Sequence, residues 1–301
     1  MQVLVAGGTG FIGRALVQEL LAAGHGVVVL TRRAVKEGAL FPPPVTIRRW
    51  SPREPLRPSL LAGADAVVNL AGASIARRWT QAAKREILSS RTETTAALVK
   101  AMQASSSPPR VLVNASAVGY YGPRGDEFVT ETDPPGEDFL ARVCREWEAA
   151  ATAAEAAGVR VVRLRIGLVL GRGGALARMS LPFRFFVGGP IGSGKQWMPW
   201  IHIDDLTGLI RFSLEEDSLR GAVNGTAPNP VRNRDFARTL GRVLRRPALL
   251  PTPAFALRLV FGEMADMLLT GQRAIPKAAL AAGFRFRFTE LEPALRAIYG
   301  G

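Results

Sequence analysis

A glycine run, Gly7-Gly8-Thr9-Gly10-Phe11-Ile12-Gly13, separates the β-branched stretch Val3-Leu4-Val5-Ala6 from a repeat that sets Ile12, Leu16 and Leu20 one helical turn apart. A chain with 31 glycines produces such runs by chance, so the flanking strand and helix carry the argument. In that context the glycines permit a tight turn and let backbone approach a pyrophosphate, whose charge the helix N-terminus stabilises.

The same alternation continues through the first half. Runs near 2–6, 27–31, 45–48, 66–70, 111–115 and 159–165 are mostly apolar on both faces, as in parallel strands covered by helices above and below. Helical patterns run over about 12–23, 81–104 and 138–157, the first stopping at Gly24 and the last at Gly158. These elements predict an α/β doubly wound parallel sheet. Beyond Arg165 the chain changes: 171–200 is rich in glycine, proline and aromatics, which suits a loop-rich lobe over a cleft. Residues 222–226 read as a returning strand, and Asn233 as the N-cap of a helix to about Leu244. The rest predicts a smaller C-terminal α+β lobe.

Composition narrows the function classes. Cys144 is the single cysteine and His25 and His202 the two histidines, which excludes an internal disulfide and argues against a metal centre. Of 39 basic residues five are lysine, and the arginines are spread along the chain. The net charge of +14 therefore reads as dispersed charge, and nucleic acid is not the expected partner. No basic leader precedes Val3, and the apolar stretch 248–269 is broken by Pro251, Pro253, Arg258, Glu263 and Asp266. The expectation is a reduced, cytoplasmic chain with no metal and no membrane partner. Oligomeric state has no readable signature.

The end of the second strand bears on cofactor choice. An NAD site usually places an acid there, whereas this chain has Thr31-Arg32-Arg33 and no acid before Glu37. Arginine pairs with a 2′-phosphate, so the expected cofactor is NADP(H); the alternative is a solvated basic turn.

GGTGFIG, DAVVNLAG at 65–72, VNASAVGYYG at 113–122 and PWIHIDD at 199–205 resemble an extended short-chain dehydrogenase/reductase. WEAAA at 147–151, LGRGGA at 170–175, GGPIGSGKQWMPWIHIDDL at 188–206 and LLTGQRAIPKAAL near the C-terminus are similar to an atypical subgroup. Its members are the "epimerase family" proteins related to bacterial YfcH and its eukaryotic relatives. The resemblance spans nearly the whole chain. It implies a Rossmann-type NADP-binding domain over 1–170, rejoined by the strand near 222–226, and a substrate lobe over 171–301. It implies cofactor contacts from Gly7, Thr9, Gly10, Phe11, Ile12 and Gly13, with Arg32 at the 2′-phosphate. It also implies contacts from Leu70, Ala71 and Gly72, from Glu86 and Arg91, and from Leu168 near the nicotinamide carboxamide. For Glu86 and Arg91 an exposed helical pair is the alternative.

The catalytic pattern of the superfamily is broken. Ser116 fits its serine position, but Tyr120, Tyr121 and Tyr299 all lack a lysine four residues later. Where the tyrosine and lysine belong, Phe139 and Val143 stand. Tyr120 and Tyr121 remain candidates beside Ser116 for acid/base work, or else pack beneath the substrate lobe. Trp197, Met198 and Trp200 form either a ligand wall or core. The His202-Asp204-Asp205 group is expected to hold backbone geometry. Lys195 lacks the full phosphate-loop pattern because Gln196 follows it, and Cys144 reads as a packed residue.

Two functions follow: an NADP(H)-dependent oxidoreductase or epimerase-like enzyme acting on a small polar, sugar-derived substrate, or a non-catalytic NADP(H)-binding regulator. A nucleic-acid-binding Rossmann protein ranks behind both.

Overall fold

The computed structural model describes residues 1–32, 40–41, 43–52 and 54–300. In chain order the elements begin β1 (Gln2–Ala6), α1 (Phe11–Ala22), β2 (Gly26–Thr31), β3 (Thr46–Arg49), β4 (Ala66–Asn69), α2 (Gln81–Gln103) and β5 (Val111–Ala117). They continue with β6 (Phe128–Val129), α3 (Phe139–Thr152), β7 (Arg160–Ile166), β8 (Leu168–Leu170), α4 (Gly174–Met179), α5 (Leu181–Arg184), β9 (Trp197–Met198) and β10 (Trp200–His202). The last are α6 (Ile203–Glu215), β11 (Gly221–Gly225), β12 (Val231–Arg232), α7 (Asn233–Leu244), α8 (Ala254–Phe261), α9 (Met264–Leu269), β13 (Arg273–Ala274), α10 (Lys277–Ala281) and α11 (Leu291–Tyr299).

Seven strands form one parallel sheet in the order β11-β7-β5-β4-β1-β2-β3. The period-2 alternation of a strand sends Val3 and Val5 to the face covered by α1 and α6, and Leu4 and Ala6 to the face covered by α2 and α3. Both faces are therefore buried, which is why these strands read as continuous apolar runs. Strand order reverses at β1, so the carboxyl ends of β1 and β4 open a crevice at the switch point. This is the Rossmann-type architecture expected, with β11 as the returning strand.

The second lobe has its own core, in which Leu170, Leu176, Phe183, Trp200, Phe236, Leu240 and Leu295 pack together. Small two-stranded pairings brace it, β8 with β10 and β9 with β12, while β6 pairs with β13. The helix at 233–244 forms, but Asn233 is its first residue and Arg232 the cap, without a capping side-chain bond. The buried Asn233 side chain serves elsewhere, accepting from the Ile191 N–H at 2.7 Å and so fixing the glycine-rich 188–194 loop.

The His-x-Asp-Asp group ties the lobes together. His202 caps α6 by accepting from the Asp204 N–H at 3.2 Å, and its ring lies 4.2 Å from that of Phe288. The buried Asp205 carboxylate accepts from the backbone N–H groups of Arg287 (2.7 Å) and Phe288 (2.9 Å). Asp205→Ala leaves two amides without acceptors, a loss of about 1–3 kcal/mol. Thermal unfolding of the variant should show a clear drop in midpoint; an unchanged midpoint would contradict this role.

Candidate functional site

The crevice is built on close approach. Gly7 has φ +81°, and a Cβ there would fall 2.8 Å from the Leu70 carbonyl carbon and 2.9 Å from the Ala71 nitrogen. At Gly13 a Cβ would lie 2.4 Å from the Gly7 oxygen, so the first turn of α1 is pressed onto the glycine turn. Gly10 closes that turn by donating its N–H to the Gly7 carbonyl at 3.0 Å. It caps α1 with no side-chain oxygen, and the first helical turn carries no acid. The positive helix end is left for an external anion.

Other segments converge on this turn. The Phe11 ring lies beneath Gly171, Gly173 and Gly174, where any Cβ would come within 2.9 Å of it. The Thr9 carbonyl accepts from Arg14 Nε at 3.1 Å, and Ile12 packs against the sheet core. Arg32 is exposed just past β2, whose Leu30 pairs with Ala6 beside the glycine turn. Arg33 and Glu37 lie outside the described residues. Ala71 donates its N–H to Asn69 Oδ1 at 3.2 Å, and Gly72 rests on Arg91. Burial lowers the Arg91 pKa; its Nη1 donates to the carbonyls of Ala73 (3.1 Å) and Ile87 (2.9 Å), pinning the strand-end loop. Glu86 instead faces outward and pairs with Arg77 at 2.7 Å. Leu168, half-buried at the start of β8, pairs with Trp200.

Ser116, Tyr120 and Tyr121 lie together, but around a different centre. Ser116 Oγ donates to Glu148 Oε1 at 2.7 Å, and Glu148 takes a two-point bond from Arg165 Nε (2.8 Å) and Nη2 (2.9 Å). Glu148 and Arg165 are each only 3% exposed. Arg165 Nη1 donates to the Tyr121 hydroxyl at 3.0 Å, and that hydroxyl donates to Asn224 Oδ1 at 2.7 Å. Tyr121 is wholly enclosed, and burial pushes its pKa up to about 12 against the opposing pull of Arg165. The Tyr120 ring stacks 3.4 Å from the Arg165 guanidinium. With Arg145, Glu148, Thr152 and Arg163 it lines a cavity of about 410 Å³. That cavity follows α3 toward its C-terminus.

These environments favour the packed alternative for Ser116 and Tyr121. Two of the hydroxyls are engaged in a buried network, and Tyr120 belongs to the flank of α3. At the position of the missing pair, Phe139 meets Trp79 edge-on at 5.2 Å and Val143 is buried. Cys144 is likewise packed, its thiol pushed up to about 11 by burial. Trp200 is core, whereas Trp197 lies between the Arg232 and Arg273 guanidiniums and donates to Asp126 at 2.9 Å. Sequence reasoning missed Glu148 and Arg165. The available signals were an acid on the buried Ala141-Cys144-Trp147-Ala151 stripe of α3 and three arginines, Arg160, Arg163 and Arg165, within one strand of a buried sheet.

The fold and crevice define a dinucleotide-binding α/β protein. Residues 3–224 match the NAD dependent epimerase/dehydratase family, and residues 252–298 match a domain of unknown function, DUF1731. The chain belongs to that epimerase/dehydratase family. It is 47% identical over 305 residues to the Epimerase family protein SDR39U1 homolog, chloroplastic, of Arabidopsis thaliana, covering 99% of this chain and 86% of that one. It is 40% identical to Epimerase family protein YfhF of Bacillus subtilis, covering 98% and 97%. Among solved structures, human SDR39U1 (isoform 2) with NADPH superposes with a TM-score of 0.87 at 41% identity, covering both chains completely. No helix among the described residues is long and apolar enough to cross a membrane.

Two outcomes test the buried network. Glu148→Ala strands the Arg165 charge and should cost about 3–5 kcal/mol in denaturant unfolding; a loss under a few tenths would contradict the pairing. The raised Tyr121 pKa means the folded state holds its proton more tightly than the unfolded chain. Its contribution to stability is complete below pH 10 and is lost as pH rises toward about 12. A phenolate absorbance titration should show an ionisation near pH 12 that disappears in Tyr121→Phe.

Proposed function

We propose that the chain binds NADP(H) in the crevice beside the glycine turn and uses it in oxidoreductase chemistry on a small polar, sugar-derived substrate. The observation that carries this reading is the exposed Arg32 beside a glycine turn that leaves a helix N-terminus without an acid. The NADPH found with human SDR39U1 supports it. The backbone of Gly7–Gly13 would hold the pyrophosphate, Arg32 the 2′-phosphate, and Leu70–Gly72 and Leu168 the length of the dinucleotide. Residues 1–170 with the returning strand near 222–226, covered in part by α6, would form the cofactor-binding unit, and the rest of 171–301 the substrate side. The bound cofactor supplies hydride transfer at nicotinamide C4; this chain's residues orient it and exclude water. The lone cysteine suits work in the reducing cytoplasm.

A second reading, a non-catalytic NADP(H) sensor, is favoured by the apolar Phe139 and Val143 and by the engaged Ser116 and Tyr121 hydroxyls. Consumption of NADPH with a sugar-derived carbonyl substrate distinguishes the two, since a sensor binds without turnover.

Calorimetric titration tests the cofactor assignment. NADPH should bind more tightly than NADH, and Arg32→Ala should weaken NADPH by about 10–100-fold while leaving NADH unchanged. Equal affinity for both cofactors in the unaltered protein would overturn the role of Arg32.

A further inference from the structure

Two stretches of the C-terminal half contain no carboxylate. Residues 171–203 carry Arg172, Arg178, Arg184 and Lys195 and no acid; residues 236–262 carry Arg238, Arg242, Arg245, Arg246 and Arg258 and no acid. The fold brings the two together. Leu250 donates its N–H to the Gly188 carbonyl at 3.2 Å, Thr252 to that of Pro190 at 2.8 Å, and Gly192 to that of Thr252 at 2.9 Å. The Arg246 guanidinium lies 4.6 Å from the Phe186 ring.

This basic face is also where apolar side chains reach solvent. Of the eleven exposed large apolar residues among those described, nine fall within 181–187 and 249–260. Phe185 is 70% exposed, Leu249 80%, Phe255 75% and Leu259 76%. Phe255 and Leu259, four apart on α8, share one face, while Leu257 anchors the helix on the other side. Among the described residues, Phe186 and Arg245 are the two non-glycine positions with positive φ, at 62° and 55°. Both lie in this patch. Each follows the end of a helix, α5 or α7, where a left-handed residue closes the last turn.

We propose that this face docks on an anionic phospholipid bilayer, with the phenylalanine and leucine side chains entering the interfacial region and the arginines contacting lipid phosphates. The apolar side chains protrude singly from 181–187 and 249–260, which suits a fluid surface that closes around each of them. The excess of arginine over acid there matches the negative potential of such a surface. A second copy of the chain is disfavoured because pairing this face with itself sets arginine against arginine. Arg242 and Arg258 are partly compensated by Glu292 and Asp266, which leaves Arg184, Arg245 and Arg246 as the principal charges. Such docking departs from the expectation of no membrane partner, which rested on the lack of an apolar run long enough to span a bilayer.

The test is flotation of the full-length protein with two kinds of vesicle, phosphatidylcholine alone and phosphatidylcholine mixed with phosphatidylglycerol. Binding to the mixed vesicles is expected, with little to the neutral ones. Phe255→Ser combined with Leu259→Ser should weaken it by about tenfold or more. Arg110→Glu combined with Arg220→Glu, exposed positions just ahead of β5 and β11, should leave most of it in place. Thermal unfolding confirms that each variant is folded. Three results would overturn the proposal. One is no binding to anionic vesicles. Another is losses that follow net charge alone and ignore the apolar substitutions. The third is a dimer in sedimentation that Phe255→Ser dissociates, which would assign the face to a second copy.

Discussion

The Glu148–Arg165 ion pair is the contact on which the junction of sheet and lobe depends. Two opposite charges buried at that depth persist only when their remaining hydrogen-bonding positions are filled. Here Ser116 at the end of β5, Tyr121 just after it and the backbone of Glu131 fill them. Tyr121 passes the network to Asn224 on β11, whose amide donates to the Ile275 carbonyl. The Glu131 side chain accepts from the backbone N–H groups of Asn224 and Ala278. One buried pair therefore fixes β5, β7, β11 and the approach to α10. Ser116 and Tyr121, two of the three catalytic candidates, give their hydroxyls to this network.

The Rossmann half was readable because its signals are local. Most strands are apolar on both faces and the helices have a glycine stop or a polar cap, so type and order follow from neighbouring residues. The lobe was less readable. Its strands are two or three residues long and exist through pairing with distant segments, such as Val231 with Met198 and Arg273 with Phe128. Asn233 was read as a cap because asparagine favours that position, but its amide is drawn to Ile191 by a loop 42 residues earlier in the chain.

The site divides along the same line. Glycine spacing exposes the crevice because close backbone approach requires glycine at Gly7 and Gly13. Arg32 is legible because it directly follows a strand. The loss of the tyrosine and lysine is also visible in sequence, at Phe139 and Val143. Spacing could not place the side chains of Ser116, Tyr120 and Tyr121, since their orientation is set by Glu148 and Arg165 on other elements. Glu86 illustrates the same limit: its neighbour on the helix, Arg91, turns inward to the Gly72 loop, while Glu86 turns out to Arg77.

The central claim is that the cofactor phosphates bind at the glycine turn, in the crevice between β1 and β4. Amide hydrogen exchange with and without NADPH tests it most directly. The account predicts new protection in residues 7–13 and 70–73. Protection centred on 118–122 and 145–153, with none at the glycine turn, would contradict it.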